Sequence, residues 1–215
     1  MRLCLVLSFL AVAGPGLAEI IDRVAVIVGD GVITESEISR QIRITAFRNR
    51  EKPVFTPESR RAAADRLVEQ ALIRREIDVS RFATATTVEY DPIYREFRKI
   101  TYPSDEAYKK ALADYGLIDG DLQENFQWQA TLLKFIDVRF RPGIQVPESE
   151  LADYYKGKFV PEWTKNTAKA APAYDEARTD IEKILASERT DNALDRWLGQ
   201  TRTQTRIIYK EEAFR

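Results

Sequence analysis

The 215-residue sequence contains no histidine, and its single cysteine, Cys4, lies close to the amino terminus. Histidine is the side chain that most readily exchanges protons near neutral pH, and histidine and cysteine together supply most zinc ligands. A Gly-x-Ser-x-Gly nucleophile elbow and a Gly-x-x-x-x-Gly-Lys phosphate loop are absent as well. We therefore predict that the protein is not an enzyme and has no metal site and no cofactor.

Carboxylates are the catalytic side chains that the sequence does have in number. Glu35 with Glu37, and Glu148 with Glu150, stand close together in the sequence, so a paired-carboxylate site stays open. Both pairs also fall where a helix is predicted to begin, and acidic side chains there interact favourably with the helix dipole. The simpler interpretation is that they stabilise helix starts.

Net charge is small as well, because 33 lysines and arginines oppose 34 aspartates and glutamates. Nucleic-acid-binding proteins usually carry a basic excess, so we predict no nucleic-acid partner. The doublets Arg60-Arg61 and Arg74-Arg75 are interpreted as solvated helix faces rather than anion sites.

Residues 1–18 have the pattern of a secretory signal peptide. Arg2 supplies the charged start, residues 3–13 the apolar run, and residues 16–18 small side chains before a cleavage site. A membrane anchor is the alternative, but spanning a bilayer takes roughly 20 apolar residues. Cys4 lies inside this segment, so the exported chain would have no disulfide. We predict a periplasmic protein without stable membrane insertion.

The best-patterned stretch of the mature chain is residues 21–38. The β-branched run at residues 24–28 favours a strand, residues 29–31 (Gly-Asp-Gly) favour a tight turn, and residues 32–33 begin the return strand. Thr34 to Glu37 then has the spacing of a capping box, in which the two side chains satisfy each other's backbone amides. The stretch therefore predicts a β-hairpin that runs directly into a helix.

A two-stranded hairpin is marginally stable by itself in water. Residues 203–209 form another β-prone segment, directly after a predicted helix. We predict that this last strand joins the first hairpin, so that the two chain ends close one domain. The predicted fold class is mainly α (α+β): a helical core with a small N-terminal β-hairpin joined by the C-terminal strand.

Apolar residues spaced three to four apart predict helices through the rest of the chain. They cover about residues 35–48, 57–79, 91–100, 104–116, 119–140, 147–158 and 174–199. Gly199 suits a helix C-cap. Pro161 and Pro172 indicate that residues 160–173 are a connector. The predicted organisation is a helical core at 19–159, this connector, and a C-terminal helix and strand at 174–215 that complete the core.

The two ends of the chain resemble SurA-type periplasmic chaperones. Residues 21–38 are similar to the family's opening hairpin and helix, and residues 67–73 (Leu-Val-Glu-Gln-Ala-Leu-Ile) to its second helix. Residues 193–198, followed by residues 206–209, are similar to its last helix and strand. The middle of the chain is similar only in the order of its helices.

The resemblance implies a non-catalytic helical chaperone core whose clients are outer-membrane proteins in transit. Typical members carry one or two parvulin-type prolyl isomerase domains before the last helix. Here that place holds only residues 160–173, which is too short for such a domain, and parvulin sites rely on histidine. The expectation is an ATP-independent periplasmic holdase without isomerase activity.

Unfolded β-barrel precursors expose alternating apolar residues, which an aromatic groove could hold weakly. The predicted client-binding residues are Tyr94, Phe97, Trp128, Phe159 and Trp163. Each of them also fits an ordinary core position. Two other functions stay open: an envelope scaffold that binds one folded partner, and a peptidyl-prolyl isomerase. The sequence also leaves open whether two copies form a homodimer.

Overall fold

A computed structural model describes residues 22–167 and 169–215. The predicted signal peptide, residues 1–18, lies outside the described residues. The fold is mainly helical and contains one small antiparallel sheet, as predicted. None of the helices in the two described ranges is long and apolar enough to cross a membrane.

The helices follow one another through short connections. In chain order they are α1 (Glu35–Asn49), α2 (Pro57–Val79), α3 (Thr87–Thr101), α4 (Asp105–Tyr115), α5 (Asp119–Arg139), α6 (Glu148–Tyr154), α7 (Val160–Asn166) and α8 (Tyr174–Gln204). A single π-helical turn over Tyr155–Phe159 joins α6 to α7, and short 3-10 segments lie at Arg141–Gly143 and Glu211–Phe214.

The sheet joins the two ends of the chain. Its central strand β1 (Val24–Val28) pairs with β2 (Gly31–Thr34) on one side and with β3 (Ile207–Tyr209) on the other. Both pairings are antiparallel, and Ile27 lies opposite Val32 in one and Ile208 in the other. The predicted closure of the N-terminal hairpin by the last strand is therefore confirmed.

The hairpin turn and the capping box form as predicted. Gly29 has φ 59°, a left-handed conformation that glycine adopts without steric cost, and an added Cβ would lie 3.0 Å from Arg75 Nη1. The Thr34 amide donates to Glu37 Oε2 at 2.8 Å, and the Glu37 amide donates to Thr34 Oγ1 at 3.3 Å. These bonds satisfy two amides that the first turn of α1 would otherwise leave unpaired.

The sheet packs against α2 and forms the first part of the core. Val26, Ile33, Val68 and Leu72 are buried together, and Phe214 of the last 3-10 segment closes the same cluster. Val26, Ile33 and Phe214 come from the two ends of the chain, and Val68 and Leu72 come from α2. Burying them removes apolar surface from water, which is the main force that holds the two ends together.

A second cluster, formed by α1, α3, α4 and α5, is built mainly from aromatic rings. Phe47 is fully buried at its centre, with the rings of Tyr102, Tyr108 and Tyr115 at 5.5, 6.1 and 5.3 Å. Aromatic pairs in such stacked and edge-on arrangements contribute about 0.5–1.5 kcal/mol beyond their buried area. The cluster fixes α5 against α1, which is the arrangement that positions the candidate site.

Helix α8 connects two regions, and each region has its own cluster of buried side chains. At 1.5 Å per residue its 31 residues extend about 46 Å. Its first half packs with α6 and the π turn around Leu151 and Ile181, and we call residues 144–190 the arm. Its second half packs Trp197 and Leu198 on the remaining chain, residues 22–143 and 191–215, which we call the body.

Helix α3 begins earlier than the periodicity predicted. It starts at Thr87 instead of residue 91 and contains Pro92 within its second turn. The Thr86 amide donates to Glu89 Oε2 at 2.7 Å, so a capping box begins the helix before the proline. The spacing of Thr86 and Glu89 was the available signal, because a threonine followed three residues later by glutamate marks a helix start.

The C-terminal third is more helical than predicted. The helix predicted to end near residue 158 continues through the π turn and α7 to Asn166, so half of the predicted connector is helical. Helix α8 continues past Gly199 to Gln204, and Gly199 is an exposed position inside it with open space around its Cα. Only residues 207–209 of the predicted final strand pair with β1, because residues 203 and 204 belong to α8.

Candidate functional site

An open cleft runs between α1, α2 and α5 in the body. It consists of two adjoining chambers of about 280 Å³ and 570 Å³. The side chains common to both chambers are Gln41, Ile44, Gln70, Asn125 and Trp128. We call the two chambers together the central cleft, and the smaller one, which reaches β2, the first chamber.

The lining of the central cleft combines apolar surface with uncharged hydrogen-bonding groups. The apolar members are Val32, Ile33, Ile44, Leu67, Ala71, Ile73, Phe97, Trp128 and Leu132, and the amide members are Gln41, Asn49, Gln70, Asn125 and Gln129. A carboxamide offers two N–H donors and a carbonyl acceptor, so it can bond either half of a peptide group. The lining therefore suits a ligand that presents peptide groups and apolar side chains together.

Charged residues flank the first chamber. Arg40 forms ion pairs with Asp121 at 3.4 Å and with Glu124 at 3.7 Å, which link α1 to α5. The Arg74 guanidinium lies 4.3 Å from the centre of the Trp128 ring. Cation–π contact of this kind holds the indole in place and leaves little of it exposed. The acids are thus neutralised by arginine at this end of the cleft.

The second chamber contains a partly buried arginine. Arg48 Nη1 donates to Asn125 Oδ1 at 3.2 Å, and its guanidinium lies 5.2 Å from the centre of the Phe126 ring. Its Nε–H is buried and has no acceptor among the described residues. Removal from water lowers the pKa of Arg48, because burial disfavours the charged form.

Glu69 lies on the α2 side of the second chamber, and its pKa is shifted in the opposite direction, upward. Partial removal from water raises the pKa of its carboxyl group, and the Arg202 guanidinium lowers it in part. The neighbouring carboxylates Asp65 and Asp195 raise it further. Among the described residues, no three histidine, cysteine or carboxylate side chains are grouped as a metal site would require.

The five predicted client-binding residues do not line a single groove. Trp128 lies in the central cleft with 6% of its surface exposed, and Phe97 lines the second chamber beside it. Tyr94 is buried in the aromatic cluster of the body. Phe159 and Trp163 lie on the arm, where their rings stack at 5.7 Å. The structure thus brings the five residues together as two pairs and one core residue.

Tyr94 lies in the core because its hydroxyl group has buried partners. The hydroxyl oxygens of Tyr94 and Tyr108 lie 2.8 Å apart, and both are within hydrogen-bonding distance of Asp119 Oδ1, so two hydroxyl protons serve three oxygen atoms. Burial, with the Asp119 contact, raises the pKa of Tyr94 to about 12 and also raises that of Tyr108. Burial alone would raise the pKa of Asp119, but hydrogen bonds from both tyrosines and Gln123 outweigh it and lower that pKa.

The sequence-based choice of aromatics missed the amides and the arginine of the cleft. A signal was present on α5, where Asn125 and Gln129 are four residues apart and Trp128 lies on the adjacent face. On α1, Gln41 and Arg48 are seven residues apart, which places them on one side of the helix. Which of these faces meet across the cleft depends on contacts distant in sequence.

Comparisons with known proteins do not assign a function to the cleft. No protein-family model matches the chain, and no curated protein matches it. Support for a function therefore comes from the fold, from the lining of the cleft and from the residues that resemble a known family.

Proposed function

We propose that the protein is an ATP-independent periplasmic holdase that binds unfolded outer-membrane proteins in the central cleft. The observation that carries the proposal is the lining of the cleft, where amide side chains lie among apolar and charged ones. An unfolded chain has backbone donors and acceptors in need of partners and apolar side chains in need of cover. A lining of both kinds serves any extended segment, which is what a client-tolerant chaperone requires.

The shape of the client fits the cleft. A β-barrel precursor alternates apolar and polar residues along each strand segment. In an extended chain successive side chains point to opposite sides, so every second residue can face Ile44 and Trp128 while the others face water. The peptide groups between them can bond Gln41 and Gln70. Recognition of this kind reads the pattern of a segment and not its sequence.

The arrangement of the chain ends supports the same function. The resemblance to SurA-type chaperones implies a core that the C-terminal segment closes, and here β3 pairs with β1 in the middle of the sheet. The central cleft opens beside this sheet, since Val32 and Ile33 of β2 line its first chamber. The closed sheet thus forms one wall of the proposed binding site.

The test is whether the mature protein delays the aggregation of an unfolded outer-membrane protein diluted from denaturant, measured by light scattering. We expect a delay at several-fold excess of the protein. Gln70→Leu should weaken it severalfold, because leucine keeps the volume of the side chain and loses both kinds of hydrogen bond. The matched control is Gln200→Leu, an exposed glutamine of α8 outside the cleft. Absence of any delay with the unsubstituted protein would exclude a holdase.

A scaffold that binds one folded partner is the second candidate, and the arm favours it. Tyr155, Phe159 and Trp163 stack in a row at 5.9 and 5.7 Å and stay partly exposed. Aromatic rows of this kind are common anchors in protein interfaces. A pull-down that returns one stoichiometric partner, lost on Trp163→Ala and kept on Gln70→Leu, would favour the scaffold over the holdase.

A further inference from the structure

The second chamber of the central cleft holds one partly buried charge that has no ion-pair partner among the described residues, that of Arg48. The other charged residues of this chamber, Arg66 and Glu69, are more exposed to water. Arg40, Arg74 and Arg139 also lie on α1, α2 and α5, and two of them form ion pairs, Arg40 with Asp121 and Arg139 with Glu76. Arg74 is exposed to water, which solvates its charge. Arg48 has neither an ion pair nor full exposure to water, because it is partly buried and is absent from the ion pairs of the described residues. Its charge is therefore the least compensated in the cleft.

The hydrogen bonding of Arg48 is also incomplete. A guanidinium group carries five N–H donors in a planar fork. Among the described residues only Nη1 has a side-chain acceptor, Asn125 Oδ1, and the Phe126 ring covers one face of the group. The buried Nε–H has no acceptor. Buried polar groups normally have partners, and Arg48 lines the second chamber, so an acceptor that enters the chamber can complete the bonding of the guanidinium group.

The ligand class that completes such a group is a carboxylate. Two carboxylate oxygens match two parallel N–H groups of a guanidinium, and the pair is stronger than a hydrogen bond between neutral groups. The same chamber offers apolar surface at Phe97, Ile73 and Leu132, and its volume is about 570 Å³. A carboxylate that carries an apolar side chain on the neighbouring carbon fits this combination better than a small inorganic anion.

We propose that the second chamber binds the C-terminal carboxylate of a polypeptide lying in the central cleft, with Arg48 as its counter-charge. This inference rests on the proposed function and adds the direction in which a bound polypeptide lies in the central cleft. The terminal residue occupies the second chamber with its side chain between Phe97 and Leu132, and Asn125 and Gln129 bond the last peptide group. The chain then runs through the first chamber toward β2. The holdase would thereby prefer clients whose C terminus is free.

An aspartate or glutamate side chain offers the same carboxylate, so the experiment separates the two sources. Three fluorescently labelled heptapeptides share one sequence that ends in phenylalanine. One has a free terminal carboxylate, one has a terminal amide, and one has a terminal amide with glutamate at the sixth position. Binding to the mature protein is measured by fluorescence anisotropy at low and at high salt.

We expect the free acid to bind about tenfold more tightly than either amide, with a smaller difference at high salt. Arg48→Met should reduce the affinity for the acid to that for the amide. Arg48→Lys, which keeps the charge and loses the fork, should keep only part of the preference. The control is Arg206→Met, an exposed arginine after α8 and outside the cleft. Circular dichroism and thermal unfolding of each variant establish that it is folded.

Equal binding of the acid and the first amide would overturn the inference, and equal binding of the acid and the glutamate peptide would assign the site to acidic side chains. If Arg48→Met lowers stability and leaves the ratio of acid to amide unchanged, Arg48 serves only the packing on Phe126. The outcomes are distinct from those for the holdase. Delayed aggregation without an acid preference removes only this inference, and an acid preference without delayed aggregation removes only the holdase.

Discussion

The body and the arm share helix α8, but different forces hold them together. In the body three clusters of buried side chains adjoin one another, and Phe47, Val68 and Leu122 are fully enclosed. The arm has one small cluster around Leu151 and Ile181. Its other links include partly exposed aromatic contacts and exposed ion pairs, and ion pairs of that kind contribute little because water and salt screen them.

This difference indicates that the two regions unfold at different free energies. Stability within one protein ranges from nearly zero in poorly packed elements to the global value in the core. The arm should therefore open locally while the body, with the central cleft, stays folded. The proposed binding of unfolded chains depends on the body, so it should survive changes that loosen the arm. Three substitutions test the comparison, and we give them in order of expected effect.

The largest loss is expected for Phe47→Ala in the body. The substitution removes a fully buried ring that contacts four other aromatic rings. Truncating a buried phenylalanine lowers the free energy of unfolding by about 3–5 kcal/mol, because apolar contact is lost and a cavity remains. Chemical denaturation followed by circular dichroism measures it. Phe55→Ala, at a ring that is 37% exposed, is the control and should cost much less.

An intermediate and local loss is expected for Ile181→Ala in the arm. Ile181 is fully buried between α8 and α6, and truncating such a side chain costs about 2–5 kcal/mol in the element that it holds. Amide hydrogen exchange should become faster over residues 148–190 and remain slow in β1 and α2. Ile184→Ala, 38% exposed on the same helix, should leave both regions unchanged. Equal acceleration throughout the chain would mean that the body and the arm unfold as one unit.

The smallest effect is expected for Asp119→Asn, and it depends on pH. The pKa of the folded Asp119 carboxyl lies below its unfolded value of about 3.9. Its stabilisation is therefore fully present above that unfolded value and is lost as the pH falls through the folded pKa. The asparagine variant should lose about 1–3 kcal/mol at neutral pH and show a shallower decline of stability in acid.

The control for this prediction is an exposed aspartate. Asp114 pairs only with Lys110, one turn away on the surface of α4. Asp114→Asn should leave both the stability at neutral pH and the acid decline as they are. Added salt should not reproduce the effect of Asp119→Asn, because the hydrogen bonds of Asp119 are partly shielded from solvent. An acid decline that persists in the variant would mean that other carboxylates dominate it.

How much of the structure could be predicted varied along the chain. The hairpin, its turn and the caps of α1 and α2 have local signals within a few residues, and each of these is confirmed. The predicted start of α3 was wrong because the prediction followed the apolar spacing, which begins at Ile93, and did not use the capping pair Thr86 and Glu89. The predicted end near residue 158 was wrong because Pro161 was interpreted as a break, whereas it lies in the first turn of α7, where proline is tolerated.

The aromatic residues show a limit of a different kind. Periodicity places Tyr94 and Trp128 on apolar helix faces, and it does not tell which partner those faces meet. Tyr94 is enclosed because Tyr108 and Asp119, from two other segments, bond its hydroxyl group. Trp128 borders open space because α1 and α2 do not close over it.

The sequence alone determined most of the helices and strands, since β-branched runs, turn glycines and caps act between near neighbours. It also predicted that the chain ends meet, because a two-stranded hairpin needs a further partner and the last segment is β-prone. The tertiary structure alone decided that an amide-lined cleft lies between α1, α2 and α5, and that Arg48 lines it without an ion pair to any described residue. The physical reason is that a cleft is space left between faces that pack incompletely. Its lining depends on contacts between residues as distant in sequence as Arg48 and Asn125.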